Sequence, residues 1–182
     1  MKSFSEISQQ ILKYSGWHPN RKTDTTVWIQ QLEQAGYSIF DTVVNMLAQF
    51  GGLEVTTKAF EEKIFKVNED VEATIFKRED PLFSFYPNQS KAIHQASMFT
   101  TLDYLKAQHL QIAPIGYYRY IQPVDISLFA LSDGRIFGGG TYCIGSLKCK
   151  RKQPGIYFMG DSIEEVINVS IRELIVFLGE PT

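Results

Sequence analysis

The feature that most constrains this fold is Ser132-Asp133-Gly134, set between the apolar runs ISLFAL and RIFGG. Asp-Gly between apolar runs is the strongest short-range hairpin signal in the chain, because the glycine supplies the positive φ that a tight, correctly twisted turn demands. The two runs therefore pair antiparallel. Neighbouring stretches extend the same sheet: IAPIGYYRY before the hairpin and IYFMG after it both read as strands, and LEVTTK, alternating apolar and polar residues, reads as an earlier one.

Helices precede and close this β-rich stretch. Ser3 with Glu6 three positions later is a capping-box pattern, and Phe4, Ile7, Ile11 and Leu12 recur at helical spacing until Gly16, which predicts a helix over 4–14. Asp24 is placed to cap a second helix whose Val27, Trp28, Leu32 and Ala35 share a face, with Gly36 as its left-handed stop. Asp41 is placed to cap a third, carrying Val43, Val44, Leu47, Ala48 and Phe50 to Gly51-Gly52. Residues 61–80 read as weak strand or irregular structure, and 90–108 as a longer helix with Ile93, Met98, Leu102 and Leu105. Ser162 with Glu165 is a second capping box, opening a last helix through Val166, Ile167, Val169 and Ile171 to Leu178.

A chain of 182 residues with 44% hydrophobic content buries one core but not two, so the expected organisation is one domain over 1–182. Its class is α+β, with N-terminal helices and a C-terminal helix packed on a mainly antiparallel β-sheet. Aromatic content of 13% excludes a disordered chain. Against 20 Asp and Glu stand 18 Lys and Arg, a net charge of -2 that gives no global attraction to nucleic acid or to anionic lipid. The opening MKSFSEISQQILKYSGW has no apolar run of signal-peptide length, and no segment reaches the ~20 apolar residues of a membrane span, so a cytoplasmic protein is expected.

Candidate chemistry is sparse. His18, His94 and His109 lack a second His or a Cys at ligand spacing, which argues against a metal site. Cys143 and Cys149 are too few for a disulfide framework and read as free thiols; Cys149 lies among Lys148, Lys150, Arg151 and Lys152 but lacks a positioned base. That basic run has no interleaved aromatic residues for base stacking, so direct nucleic-acid contact is not expected. Gly138-Gly139-Gly140 leads into more strand-like sequence instead of a helix N-terminus; a bulge or tight bend explains it better than a phosphate cradle. No catalytic residue, cofactor or metal is assigned.

One ordered set of residues carries a resemblance. Gly16-Trp17 followed by Arg21, a helix with Trp28 and Gly36-Tyr37, and a helix ending Phe50-Gly51-Gly52-Leu53 before a strand resemble the opening of the third family of the SUKH superfamily of bacterial immunity proteins. Farther on, Ile112-Ala113-Pro114-Ile115-Gly116 is similar to that family's Pro-Ile-Gly strand, Asp133-Gly134-Arg135-Ile136 to its Asp-Gly-Arg hairpin, and the helix after Gly160-Asp161-Ser162 to its end. The resemblance implies a non-enzymatic protein that binds and neutralises a cognate toxin, often a nuclease or other nucleic-acid-modifying domain. A regulatory or scaffold module binding a cellular protein, as in other branches of the superfamily, is the alternative. Physically, Gly16, Trp17, Arg21, Gly51, Gly52, Pro114, Gly116, Asp133 and Gly134 read as scaffold: helix exits, a core ring, a cation bound to a carbonyl or carboxylate that holds the N-terminal turn, a proline suited to a strand edge or the start of a ladder, and a turn.

A partner that handles nucleic acid is basic where it meets phosphate, so clustered carboxylates suit the face that covers it. The densest cluster is Glu61, Glu62, Glu69, Asp70 and Glu72, in a stretch that carries none of the family landmarks. This is the expected toxin-binding face.

Overall fold

A computed structural model of the chain describes residues 3–56, 82–87, 109–119, 125–140 and 155–178. The expected strand 53–58 is seen as a two-residue strand, and its end lies outside the described residues. So do the expected irregular stretch 61–80, the helix 90–108, and the residues that follow Gly140 up to the last strand.

Ten elements are described: α1 (Glu6–Tyr14), α2 (Thr26–Gln34), α3 (Asp41–Phe50), β1 (Glu54–Val55), β2 (Phe83–Ser84), β3 (Ile112–Arg119), β4 (Asp125–Leu131), β5 (Ile136–Gly140), β6 (Gly155–Gly160) and α4 (Ile163–Leu178). The strands form one sheet in the order β1-β2-β3-β4-β5-β6, every neighbour antiparallel. The class is α+β, as the sequence indicates.

Helices α1 and α2 end alike, and the reason is visible in their sequences. Gly16 (φ +89) and Gly36 (φ +86) take left-handed backbone that a side chain would strain. The amide of Gly16 donates to Lys13 O and that of Trp17 to Leu12 O; Gly36 donates to Glu33 O and Tyr37 to Leu32 O. Both exits are Schellman motifs that satisfy the last helical carbonyls and send an aromatic residue back onto the core. Trp17 is buried, and Tyr37 bridges the main core and a smaller cluster beyond the sheet.

The helix starts depart from expectation. The cap of α1 is Ser5, whose Oγ accepts from the Ser8 amide at 3.1 Å, and not Ser3. Ser3 is held outside the helix by α4: Asn168 donates to the Ser3 carbonyl at 3.1 Å and accepts from the Ser5 amide at 2.9 Å. Asp24 stands one residue further out than a cap, yet its Oδ1 accepts from the Thr26 amide at 2.9 Å and from the Thr26 hydroxyl at 2.6 Å, and these bonds hold its carboxyl below the usual range. Asp41 is already the first residue of α3, where its charge faces the positive helix end; the cap position is Phe40. On α2 only Leu32 is fully buried. Val27 and Ala35 are exposed, so the expected shared face is narrower than its spacing implies.

The sheet's two faces follow strand alternation with one correction. On β4, Ile126, Leu128 and Ala130 join the main core, while Phe129 and Leu131 face the other way and cluster with Ile112. On β3 the register slips between Pro114 and Gly116, so Ile115 is the extra residue of a bulge. The slip lets Ala113, Ile115 and Tyr118 all reach the main core, which strict alternation forbids. Pro114 thus sits at a bulge near the start of β3, paired to β4 through Phe129 and beyond the short register of β2, so its missing N–H is tolerated much as the expected edge or ladder-start position would allow. Gly116 lies so close to β2 that a Cβ there would collide with the Ser84 carbonyl oxygen and stand 2.8 Å from Phe85 Cα. The glycines of β5 pair in register with β4 and β6. The irregularity expected at Gly138–Gly140 falls instead at Ile136/Phe137, opposite Met159, because glycine permits a bulge but does not require one.

The main core unites α1, α3 and α4 with the sheet. Through it runs an aromatic chain: Phe4 edge-on to Trp17 (5.2 Å between centroids), Trp17 parallel to Phe50 (6.4 Å), Phe50 against Phe85 (5.4 Å), then Phe83 stacked on Tyr118 (4.7 Å).

Candidate functional site

Where α3 turns into β1, the landmark residues meet. The segment after Trp17 folds across the end of α3 and takes up its unsatisfied carbonyls: the Thr23 amide donates to Ala48 O at 2.8 Å, and Arg21 donates through Nη1 to Gln49 O at 3.0 Å and through Nη2 to Gly51 O at 2.8 Å. A guanidinium suits this task because its planar fork satisfies two acceptors at once and its charge complements the negative helix end. Partial burial lowers the Arg21 pKa while Tyr86 opposes the shift; the group stays charged.

Trp28 of α2 covers the same turn. A Cβ at Gly51 would strike the Trp28 ring and the Leu47 carbonyl, and one at Gly52 would stand 3.3 Å from that ring. Gly52, at φ +75, donates to Phe85 O and accepts from the Tyr86 hydroxyl at 3.1 Å, and Tyr86 meets Trp28 edge-on at 6.2 Å. Gly16 and Trp17 feed this corner through the ring stack on Phe50. Their arrangement fixes backbone.

The expected acidic face behaves differently. Glu61, Glu62, Glu69, Asp70 and Glu72 lie outside the described residues, as do Lys148, Lys150, Arg151, Lys152, Cys143, Cys149 and His94. The strands that flank this stretch in the sequence, β1 and β2, are antiparallel neighbours, with the Leu82 amide donating to Val55 O at 2.7 Å. His18 and His109 are both exposed. Among the described residues no three His, Cys, Asp or Glu side chains converge as metal ligands.

A second corner forms where β5, β6 and α4 meet. The Asp133-Gly134 turn closes as expected: the Leu131 amide donates to Arg135 O at 2.9 Å and the Gly134 amide to Leu131 O at 3.0 Å. Asp133 accepts from the Arg135 amide and pairs with its Nε at 2.7 Å. Arg135 in turn lies over the Phe137 ring at 5.9 Å. Phe137 pairs across the ladder with Phe158, edge-on at 5.7 Å, and Phe158 is 53% exposed. Because Ile136 pairs with Gly160, the turn and the start of α4 leave the same end of the β5–β6 pair. That start is the expected capping box: Ser162 Oγ accepts from the Glu165 amide at 3.3 Å, and Glu165 reaches back to the Asp161 amide at 2.9 Å. Asp133, Asp161, Glu164 and Glu165 lie toward this end of the β5–β6 pair, and Asp133 pairs with Arg135. Sequence reasoning read Phe158 only as a strand residue; which face of β6 it takes depends on the Met159 slip, which no local pattern announces.

The family model for SUKH-3 immunity protein matches residues 4–169. The chain belongs to the SUKH-3 immunity protein family. The match runs from the residue before the Ser5 cap into α4 and so includes both corners. No significant match was found among curated proteins or solved structures. For this SUKH-3 protein the landmarks are explained by folding: Gly16, Gly36, Gly51 and Gly52 shape exits, Trp17 fills the core, Arg21 closes α3, and Gly116 admits β2. Among the described residues no helix is long and apolar enough to cross a membrane.

Proposed function

We propose that this SUKH-3 protein neutralises a cognate toxin in the cytoplasm by binding it and covering its active site, without turning over any substrate. The observation that carries the reading is the family match over residues 4–169. The toxin class that fits best acts on nucleic acid, and its basic, phosphate-facing surface is met by the carboxylates Glu61, Glu62, Glu69, Asp70 and Glu72. In the sequence they fall between β1 and β2, which pair antiparallel. No cofactor, metal, nucleic acid or membrane takes part.

The test is protection. Cells expressing the toxin domain encoded beside this protein should survive when the protein is co-expressed. Reversal of Glu69, Asp70 and Glu72 to Lys should slow association with that domain and weaken its salt dependence, because peripheral charges act mainly through steering. Survival with unaltered kinetics would remove this face from the contact. Death despite expression of folded protein would remove the neutralisation reading.

A further inference from the structure

We propose that Asp133-Gly134 is a site of spontaneous isomerisation to isoaspartate that the folded hairpin holds closed, with Arg135 as its guard. The sequence has one Asp-Gly step and no Asn-Gly step, and a glycine, lacking a side chain, hinders attack of its own nitrogen on the preceding carboxyl least. In that attack the Gly134 nitrogen bonds to Asp133 Cγ, and one carboxyl oxygen leaves as water, taking the amide proton and one proton from solvent. Water then opens the resulting succinimide. Cleavage between Gly134 N and Cγ restores aspartate. Cleavage between Gly134 N and the Asp133 main-chain carbonyl leaves the chain running through the side chain, one methylene longer.

In the folded turn both reacting groups are engaged. The Gly134 amide donates to Leu131 O at 3.0 Å, Asp133 Oδ1 accepts from the Arg135 amide at 3.1 Å, and Oδ2 accepts from Arg135 Nε at 2.7 Å. The carboxyl must leave Arg135 and the amide must leave Leu131 before they can meet, so the reaction waits on local opening of the turn and its rate follows the open fraction. Solvent is not what limits it, since the Asp133 side chain is 35% exposed. The ion pair is exposed as well, so Arg135 adds a modest part of the protection and the turn's backbone bonds the larger part. The place of the lesion gives it a consequence. This turn sets the register in which Ala130 pairs with Ile136 and Phe129 with Phe137, and Ile136 is fully buried. An added methylene between Asp133 and Gly134 lengthens the connection that fixes that register. Chains that stay open thus acquire the lesion, and the lesion then hinders their return to the folded hairpin.

The experiment incubates the full chain at neutral pH and follows isoaspartate at Asp133 over time, as loss of cleavage by an endoprotease that cuts before aspartate but not before isoaspartate. Four samples are compared: folded wild type, wild type unfolded in urea, folded Arg135→Gln, and Asp133→Glu unfolded in urea as the control for reaction elsewhere. Unfolded wild type should isomerise at Asp133 roughly tenfold faster or more than the folded protein, because the turn is then always open. Folded Arg135→Gln, its urea midpoint showing that it remains folded, should fall between the two, and Asp133→Glu should show no isoaspartate in this peptide. Equal rates for folded and unfolded wild type would overturn protection by the turn, and an unfolded chain free of isoaspartate at Asp133 would overturn the site. A wild-type rate for folded Arg135→Gln would overturn Arg135 as the guard.

Discussion

The corner where α3 enters β1 and the corner where β6 enters α4 solve the same covalent problem in opposite ways. In the first, every group is turned inward: Arg21 and Thr23 occupy the carbonyls that α3 leaves open, Trp28 covers two glycines, and Tyr86 closes over Gly52. In the second, Ser162 and Glu165 satisfy the helix start locally, and Phe158 nearby stays more than half exposed. A helix end capped by a distant segment commits that segment to the scaffold. One capped by its own first turn draws on no distant segment. The contrast separates residues that hold the immunity protein's shape from those on its surface.

The largest break in that contrast is Trp17→Ala. Its ring joins Phe4 to Phe50, so truncation should cost about 3–5 kcal/mol, read as a lowered urea midpoint. An unchanged midpoint would mean that the ring is not part of the packed region. Gly116→Ala should follow, at about 3 kcal/mol, because the new methyl meets the backbone of β2, which cannot move aside without opening the sheet. Arg21→Met keeps the side chain's length but abandons two carbonyls at the end of α3. We expect about 2 kcal/mol after allowance for partial exposure, with faster hydrogen exchange at the end of α3 before any global change. At the bottom of the scale, Phe158→Ser should leave stability within about 0.5 kcal/mol of wild type. If it destabilised the fold as Trp17→Ala does, the two corners would be alike and the contrast would fall.

Sequence legibility divides along similar lines. The Asp133-Gly134 hairpin, the strands around it, the Ser162/Glu165 box and the exits at Gly16 and Gly36 were readable because each is decided within a few residues by turn or cap chemistry. The start of α1 was misplaced because its decisive contact comes from Asn168, 163 positions beyond Ser5. The bulge at Ile115 and the slip opposite Met159 were invisible for the same reason: they reconcile a strand's alternation with neighbours that the strand's own pattern does not contain. The pairing of Phe158 with Phe137 follows from that slip. Arg21 was legible as a cation that would bind a carbonyl or carboxylate, while its target at the end of α3 emerged only from the packing.

The central claim is that this protein acts by occupying its partner and not by altering it. A titration of the neighbouring toxin domain's activity against increasing immunity protein tests this directly. The account predicts a linear loss of activity ending at one equivalent, complete as soon as the proteins have mixed, with active toxin recovered when the complex is dissociated. Inactivation that proceeds with time at a small fraction of an equivalent, or toxin activity undiminished at a large excess, would contradict it.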